Sequence, residues 1–330
     1  MPTLKRVPIV ALALLGGLLL WMSLNIQNAR AGEGPTVTDA AYGGETVTGA
    51  AYGVPPSLMT PFSLMSDSDN YITFKYDEFD VSDGYRLPQG ADPSTIPDGY
   101  RLILNNSAEI VPVGSTNVLR LTPAQTTKGG SVFNKERVSL QDDRSFSTYF
   151  TFELSEGGGA DGLVFTVQTD SFTKGTIGGT LGYYEISPSV AVKFDTYRNN
   201  EHGDPSDNHI AILKNGVINS SLAAKALDKS VLDLRGGTIH AWVDYDGPNG
   251  VLEVRLNKDS AARPEDAELR YTFPAGTRLT SILDSDWVYV GFTASTGGLY
   301  QNHDVTSWYF TNKFDPIDTD SAKAGRVSSN

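Results

Sequence analysis

Between residues 145 and 154 the chain reads Ser145-Phe146-Ser147-Thr148-Tyr149-Phe150-Thr151-Phe152-Glu153-Leu154. Bulky, mostly apolar side chains occupy every second position of this stretch, and mostly polar side chains lie between them. Since successive side chains of a β-strand point to opposite faces, the pattern predicts a half-buried strand. Its core face would carry Phe146, Thr148, Phe150, Phe152 and Leu154.

The same alternation recurs along the rest of the chain, with short turns such as residues 246–250 between the stretches. No long helical pattern competes with it. Many strands without helices indicate two packed antiparallel sheets, so the predicted fold class is all-β, an antiparallel β-sandwich. The predicted strands cover residues 163–167, 190–197, 209–213, 238–245, 252–256, 287–292 and 307–310.

The composition is that of an acidic globular protein. The chain has 330 residues, no cysteine and a formal net charge of −13. This length allows one or two domains. Nucleic-acid binding needs clustered Lys and Arg, which the sequence lacks, whereas the acidic balance favours cation binding. Without disulfides, an exported fold of this kind depends on a large core, on bound metal, or on both.

Residues 1–31 have the pattern of an export signal. Lys5 and Arg6 precede an apolar stretch from Ile9 to Met22, and residues 29–31 (Ala-Arg-Ala) form a small-x-small cleavage site. An uncleaved anchor is the alternative, because the apolar stretch is only slightly shorter than the roughly 18 residues of a spanning helix. The cleavage site favours removal, so we expect a secreted protein, free or associated with a cell surface, without membrane insertion.

The organisation after the signal follows from a shift in composition. Residues 32–68 are rich in Gly, Ala, Thr and Pro and contain an imperfect repeat, in which residues 46–53 echo residues 36–43. This composition predicts a flexible linker. Residues 69–316 would form the sandwich domain, and the polar residues 317–330 a disordered tail.

A row of polar side chains marks the predicted strand at residues 190–197. Alternation places Val190, Val192, Phe194 and Thr196 on the core face. The opposite face then carries Lys193, Asp195, Tyr197 and Asn199. The next loop adds Asp204, and His209 opens the following strand, so a strand, a tight loop and a returning strand converge these groups on one point.

The chemistry of this group suits calcium. The carboxylates of Asp195 and Asp204, the amide of Asn199 and the backbone carbonyl of Tyr197 are the hard oxygen ligands that calcium prefers. His209 beside two carboxylates suits a transition ion instead, which suggests a second metal site sharing both aspartates. On spacing alone, a solvated strand face with a polar loop is the alternative.

The residues around this row resemble a known signature. Lys193-Phe194-Asp195-Thr196-Tyr197-Arg198-Asn199, followed by Gly203-Asp204-Pro205-Ser206 and His209-Ile210, is similar in residue types and intervals to the metal-binding signature of legume lectins and related L-type lectins, here of the bacterial type. The resemblance implies a jelly-roll sandwich. It extends over residues 71–314, and the matching stretches follow one another in the same order as in the family. Further matching stretches are residues 145–152, 160–165, 178–182, 242–247, 291–297 and 307–310.

The resemblance also implies how a glycan is bound. Asp161, reached through a cis peptide bond after Ala160, would accept hydrogen bonds from two sugar hydroxyls. The amide of Asn199 would donate to the same sugar while its oxygen holds calcium, and the N–H of Gly179 would add a third hydrogen bond. Calcium is then required for binding although the sugar need not touch it.

Further contacts would come from one aromatic ring and one loop. The ring of Tyr197 would pack on the apolar face of the sugar. The loop at residues 296–302, with Gly298 and Leu299, occupies the position that tunes monosaccharide choice, and its short length resembles mannose- or glucose-binding members. A single shallow site binds at about millimolar strength, so several sites on one assembly, such as a homodimer, are favoured.

Lys193 departs from the family pattern. It stands where metal-rich members have a glutamate that completes the transition-metal site. An ammonium is no metal ligand, and its charge would repel a second cation. We therefore expect calcium alone, with Lys193 paired to Asp195 or Asp204 in place of the missing ion, and His209 as a structural hydrogen-bonding residue despite its place among the candidate metal ligands.

Two other classes of function compete with a lectin. Sandwich glycan hydrolases of the laminarinase type carry paired carboxyl groups on one strand, but here the alternation reads Lys193, Asp195, Tyr197 without glutamate, so we expect no enzyme. A calcium-stabilised adhesion or structural module without sugar binding is the other alternative. Retention of Asp161, Gly179 and Asn199 together speaks against it.

Overall fold

The computed structural model describes residues 62–66, 71–88, 91–155, 159–171 and 180–317. The predicted signal, most of the predicted linker, the tail beyond residue 317 and Gly179 lie outside these residues. Within them the secondary structure is almost entirely β-strand, with one short α-helix, α1 (Leu279–Leu283). Short 3₁₀ turns occupy Val81–Asp83, Pro93–Thr95, Gln141–Asp143 and Asn200–His202. The strands are β1 (Phe62–Ser66), β2 (Ile72–Tyr76), β3 (Gly84–Arg86), β4 (Leu102–Asn106), β5 (Glu109–Val113), β6 (Thr116–Thr122), β7 (Gly129–Asn134), β8 (Val138–Ser139), β9 (Phe146–Ser155), β10 (Gly162–Gln168), β11 (Ser189–Asp195), β12 (His209–Lys214), β13 (Ala223–Ala226), β14 (Thr238–Asp246), β15 (Val251–Lys258), β16 (Leu269–Thr272), β17 (Trp287–Ser295) and β18 (Asn302–Thr311).

The described strands form two sheets of nine strands each. The first has the order β1-β2-β18-β9-β14-β15-β16, with β6 also paired to β18 and β5 paired to β6. The second has the order β13-β12-β11-β10-β17-β7-β4-β3, with β8 also paired to β17. All pairings are antiparallel except that between β3 and β4. The predicted all-β sandwich is confirmed.

The main core lies between the sheets, and β9 shows how the sequence builds it. Phe150 packs edge-on against Phe194 and Phe292 of the second sheet, with ring centroids 5.7 Å and 4.9 Å apart. The predicted half-burial of β9 is wrong for Ser147 and Thr151, which are also buried. The reason is that β9 lies inside its sheet and residues after β18 cross its outer side, where the N–H of Asp315 donates to Ser147 Oγ.

A second apolar cluster covers the outer face of the second sheet. It combines outward side chains of the sheet, such as Val164 and Ala191, with loop residues such as Leu181 and Tyr183. The face of β11 that carries Lys193 and Asp195 is therefore buried, and a solvated strand face is excluded. Buried on both faces, this sheet holds its charged residues in a water-poor environment.

Two contacts lie at the ends of the predicted sandwich domain. Strand β1 (Phe62–Ser66) falls within the predicted linker and pairs with β2. At the other end, the carbonyl of Ile317 accepts a hydrogen bond from Trp242 Nε1, which holds the first residue of the predicted tail. Among the described residues, no helix has the length and apolar character needed to cross a membrane.

Candidate calcium and carbohydrate site

Three neighbouring strands bring the predicted site residues to one end of the second sheet. In the pairing of β11 with β12, Asp195 lies directly opposite His209. In the pairing of β10 with β11, Asp195 lies opposite Gly162, the residue after Asp161. Asp161, Asp195 and His209 therefore meet at the same end of the sheet, although Asp161 and Asp195 are 34 positions apart in the sequence.

A turn, rather than the alternation of a strand, places Tyr197 and Asn199. β11 ends at Asp195, so the period-two argument does not reach either residue. Instead, Asp195 Oδ1 accepts the N–H of Tyr197 at 2.8 Å, and Asp204 Oδ2 accepts the N–H of Asn199 at 2.9 Å. Gly203, with φ of +74°, supplies the left-handed residue that ends the short 3₁₀ turn before Asp204.

The candidate metal ligands form a compact buried group. Potential ligand atoms of Asp195, Asp204 and His209 all lie within 4.8 Å of one another. Asn199, whose N–H donates to Asp204, has its side-chain oxygen Oδ1 buried without a hydrogen-bond partner. An unpaired buried polar atom is costly, so Asn199 Oδ1 beside these carboxylates is a candidate ligand for a cation. Carboxylate and amide oxygens are ligands of the kind that calcium prefers.

Lys193 is buried between the two candidate aspartate ligands. Its side chain is 2% exposed, and its Nζ lies 2.6 Å from Asp204 Oδ1 and 3.1 Å from Asp195 Oδ2. The predicted pairing of Lys193 is confirmed and involves both aspartates. A transition ion beside this ammonium would have to compete with it for the same carboxylate oxygens.

His209 has the hydrogen bond expected of a structural residue. Its Nδ1 lies 2.7 Å from the carbonyl oxygen of Ser206, so Nδ1–H donates to that carbonyl. Its Nε2 lies 3.2 Å from Asp204 Oδ1, the same oxygen that binds Lys193. His209 thus helps to fix the loop that carries Asp204.

The buried carboxyl groups outnumber the buried ammonium. Burial opposes ionisation of Asp204, but hydrogen bonds from His209 and Lys193 lower its pKa to about 2. Burial raises the pKa of Asp195, and Lys193 and His209 only partly offset this effect. Burial and the charge of Asp195 raise the pKa of Asp161 to about 7. A cation bound beside Asp195 and Asp161 would favour the ionised form of both carboxyl groups.

Asp161 presents a carboxylate oxygen with no partner of its own. The peptide bond between Ala160 and Asp161 is cis, as the resemblance implies. One carboxylate oxygen accepts the backbone N–H of Gly297, whereas Oδ2 is buried without a hydrogen-bond partner. A Cβ atom added at Gly297 would lie 3.6 Å from Oδ2, which places the loop directly beside this oxygen.

The other predicted sugar contacts are accessible where the structure describes them. Tyr197 is 39% exposed and Leu299 is 46% exposed. Gly298 faces open space. The Asn199 amide donates through Nδ2 to Glu201 Oε1 at 3.2 Å, which leaves Oδ1 on the buried side. Gly179 lies outside the described residues.

Three buried polar residues near Asp161 were not predicted from the sequence. Thr196 Oγ1 donates to the carbonyl of Asp161, Gln301 Nε2 donates to Thr196 Oγ1, and His303 Nε2 accepts the N–H of Gly162. One signal was present in the sequence. His303 stands two residues before the buried Val305, so a polar residue occupies an inward position of β18.

The sequence of this chain is similar to those of known lectins and lectin-domain kinases. Agglutinin-2 of Cladrastis kentukea is 31% identical over 237 residues, which cover 65% of this chain and 77% of the relative. The L-type lectin-domain containing receptor kinase VIII.2 of Arabidopsis thaliana is 30% identical over 207 residues, which cover 59% of this chain but only 28% of the kinase.

Solved structures and a family model agree with these relatives. The winged bean acidic lectin complexed with methyl-α-D-galactose is 27% identical, with a TM-score of 0.55 over 73% of this chain and 98% of that lectin. A sequence model of the legume lectin domain matches residues 96–325. Such domains bind carbohydrate and are not enzymes, as expected here from the missing glutamate. The chain belongs to the legume lectin domain family.

Proposed function

We propose that this chain is a calcium-dependent carbohydrate-binding protein of the mannose or glucose type. The observation that carries the proposal is the buried, unpartnered Oδ2 of Asp161 beside the accessible loop that contains Gly298. A fixed carboxylate oxygen is a strong acceptor for sugar hydroxyls, and a site built to hydrogen-bond such a ligand leaves it unpaired when the ligand is absent.

Calcium would be held by Asp195 and Asp204 through their carboxylates, by Asn199 through Oδ1 and by Tyr197 through its carbonyl. When bound, the ion supplies the positive charge that the buried carboxylates lack and ties the turn after β11 to β12. The residues of the chain arrange the ligands. Asp195 and Asp204 already hold the turn through its N–H groups, so the ligands are arranged before the ion arrives.

The sugar would lie between Asp161 and the exposed side chains around it. The amide nitrogen of Asn199 faces outward and has a second hydrogen for a sugar oxygen while one is given to Glu201. The exposed ring of Tyr197 offers an apolar surface for the C–H groups of a pyranose. Leu299 and Gly298 would border the sugar, and Gly179 would donate its N–H.

Monosaccharide choice is the finer part of the proposal. The short loop at residues 296–302 supports a mannose or glucose type, whereas solved relatives include complexes with galactose, such as lectin UEA-II. Competition by free sugars distinguishes the mannose or glucose type from the galactose type. We expect methyl α-mannoside to displace the protein from a glycan surface at lower concentration than methyl α-galactoside, and the reverse order would assign the galactose type.

Metal content tests the role of Lys193. We expect purified protein to hold one calcium per chain and no stoichiometric manganese or zinc, because the Lys193 ammonium already contacts Asp195 and Asp204. The Lys193→Glu variant would place a carboxylate beside Asp195, Asp204 and His209, a set that a transition ion prefers. It should therefore gain one manganese or zinc per chain by elemental analysis. A second metal in the unmodified protein would contradict this assignment.

An adhesion or structural module that keeps calcium without binding sugar is the alternative function. A glycan array read with and without a calcium chelator distinguishes the two. The lectin proposal expects signal on particular glycans that disappears with the chelator and returns with added calcium. An array without signal at any calcium concentration would favour the adhesion module.

Location and partners extend the proposal. The predicted signal at residues 1–31 supports a secreted or cell-surface protein whose partners are glycans or glycoconjugates. Weak single sites gain strength when several act together, which supports a homodimer. The mass of the secreted protein in solution, with its N-terminal sequence, tests both assignments.

A further inference from the structure

A hydrogen bond between the two sheets lies directly behind Asp161. Gly162 is the first residue of β10 in the second sheet, and its N–H donates to Nε2 of His303 in β18 of the first sheet, at 3.0 Å. This N–H belongs to the peptide that follows Asp161. On its other side Gly162 packs tightly against β11 of its own sheet, because a Cβ atom on Gly162 would lie 2.2 Å from the carbonyl oxygen of Phe194.

The imidazole of His303 is held in one orientation and one tautomer. Because Nε2 accepts the N–H of Gly162, the ring proton lies on Nδ1 and is donated to Thr122 Oγ1. The ring is fully buried, and burial lowers the pKa of His303 to about 3. The neutral ring therefore keeps its lone pair on Nε2 for the N–H of Gly162, and the amide nitrogen of Gln301 lies 3.3 Å from the same atom.

The other side of Asp161 is held by Thr196 and Gln301. The carbonyl of Asp161 accepts the N–H of Thr196 at 2.9 Å and the Thr196 hydroxyl at 3.1 Å. Gln301 Nε2 donates to Thr196 Oγ1 at 2.9 Å. Thr196 lies between the proposed ligands Asp195 and Tyr197. The backbone of Asp161 is thus tied both to the metal-binding turn and to the loop that ends at Gln301.

We propose that His303 is a positioning residue of the sugar site: by holding the N–H of Gly162, with Thr196 and Gln301 holding the carbonyl of Asp161, it fixes the Asp161 carboxylate in one orientation beside the loop that contains Gly298. The inference rests on the proposed function. A displacement of about 1 Å in such an acceptor is enough to weaken binding strongly, so the support behind Asp161 sets affinity without touching the ligand.

Two substitutions at His303 separate positioning from general stability. The amide of Gln reaches the position of Nε2 and preserves an acceptor for Gly162, whereas the shorter Asn reaches the position of Nδ1 and preserves only the contact with Thr122. In the full chain we would measure hydrogen exchange of the Gly162 amide, glycan affinity and calcium affinity for both variants.

The His303→Gln variant should keep both Gly162 exchange and glycan affinity within about threefold of the unmodified protein. In His303→Asn the Gly162 amide should exchange at least about tenfold faster, and glycan affinity should fall about tenfold, the equivalent of one lost hydrogen bond. Calcium affinity should not change in either variant, because His303 contacts none of the proposed ligands.

Several outcomes would overturn the inference. Equal losses of glycan affinity in the two variants would indicate a general structural effect, and unchanged affinity in His303→Asn with faster Gly162 exchange would show that positioning does not matter. If His303→Asn does not fold, Thr196→Val tests the carbonyl side, and unchanged glycan affinity in that variant overturns the claim. If the unmodified protein binds no glycan, the proposed function fails, while Gly162 exchange still decides whether His303 holds that amide.

Discussion

Replacing Asp161 with Asn should lower glycan affinity by about 100-fold or more, and thus abolish retention on a glycan surface. Each hydrogen bond to a charged acceptor contributes roughly 1.5–3 kcal/mol, and about 2.7 kcal/mol corresponds to a factor of 100. The acceptor that this substitution removes is the buried Oδ2 of Asp161. In the variant, the Asn oxygen keeps the N–H of Gly297, and an NH₂ group that cannot accept faces the sugar.

The same substitution should leave the fold and calcium binding intact. Asn has the shape of Asp, and burying a neutral amide costs less than burying a carboxylate. Surface plasmon resonance on a glycan surface, thermal unfolding and calcium titration measure the three properties. Asp98→Asn is the matched control, because Asp98 is fully exposed and lies 3.7 Å from Lys135, away from the site. Retained glycan binding in Asp161→Asn would remove Asp161 from the site.

Lys193→Met should destabilise the calcium-free protein by about 3–5 kcal/mol, the range found when one partner of a buried ion pair is removed. The change leaves Asp195 and Asp204 buried without the ammonium that contacts both. Met preserves most of the apolar volume of the lysine side chain, so the loss of unfolding free energy reports the removal of the charge. Denaturant unfolding in the presence of a chelator measures it.

A surface pair of the same length provides the control for this loss. Lys225 and Glu268 lie 2.6 Å apart, as do Lys193 and Asp204, but their side chains are 46% and 32% exposed. Lys225→Met should therefore cost no more than about 1 kcal/mol. Saturating calcium should restore part of the stability of Lys193→Met, since a ligand at 100 times its dissociation constant adds about 2.7 kcal/mol. Equal losses in the two variants would mean that Lys193 has no special electrostatic role.

Much of the fold is contained in the alternation of side chains. The predicted strand at residues 145–154 corresponds to β9 (Phe146–Ser155), and the one at residues 238–245 to β14 (Thr238–Asp246). The alternation could not show that the polar face of a strand is also buried. Ser147 and Lys193 are covered by segments distant in sequence, and such cover depends on tertiary packing that no local pattern records.

The candidate site was predictable only as far as a local motif reaches. Asp195, Asp204 and His209 are close in sequence, and the structure brings them together. His303 and Gln301 were missed because they are more than 100 residues from Asp161 in sequence, His303 in the other sheet and Gln301 in the loop before β18. The placement of Tyr197 was predicted from strand alternation, but a hydrogen-bonded turn that begins at Asp195 determines it.

The role of calcium and Lys193 is tested most directly by glycan binding of protein that is stripped of all metal and then reloaded with one ion at a time. Calcium alone should restore binding completely, because Lys193 already supplies the second positive charge among Asp195, Asp204 and His209. Manganese or zinc alone should restore none. Binding that survives the chelator, or that returns only when a transition metal accompanies calcium, would contradict the proposal of a lectin with one metal ion and a lysine in place of the other.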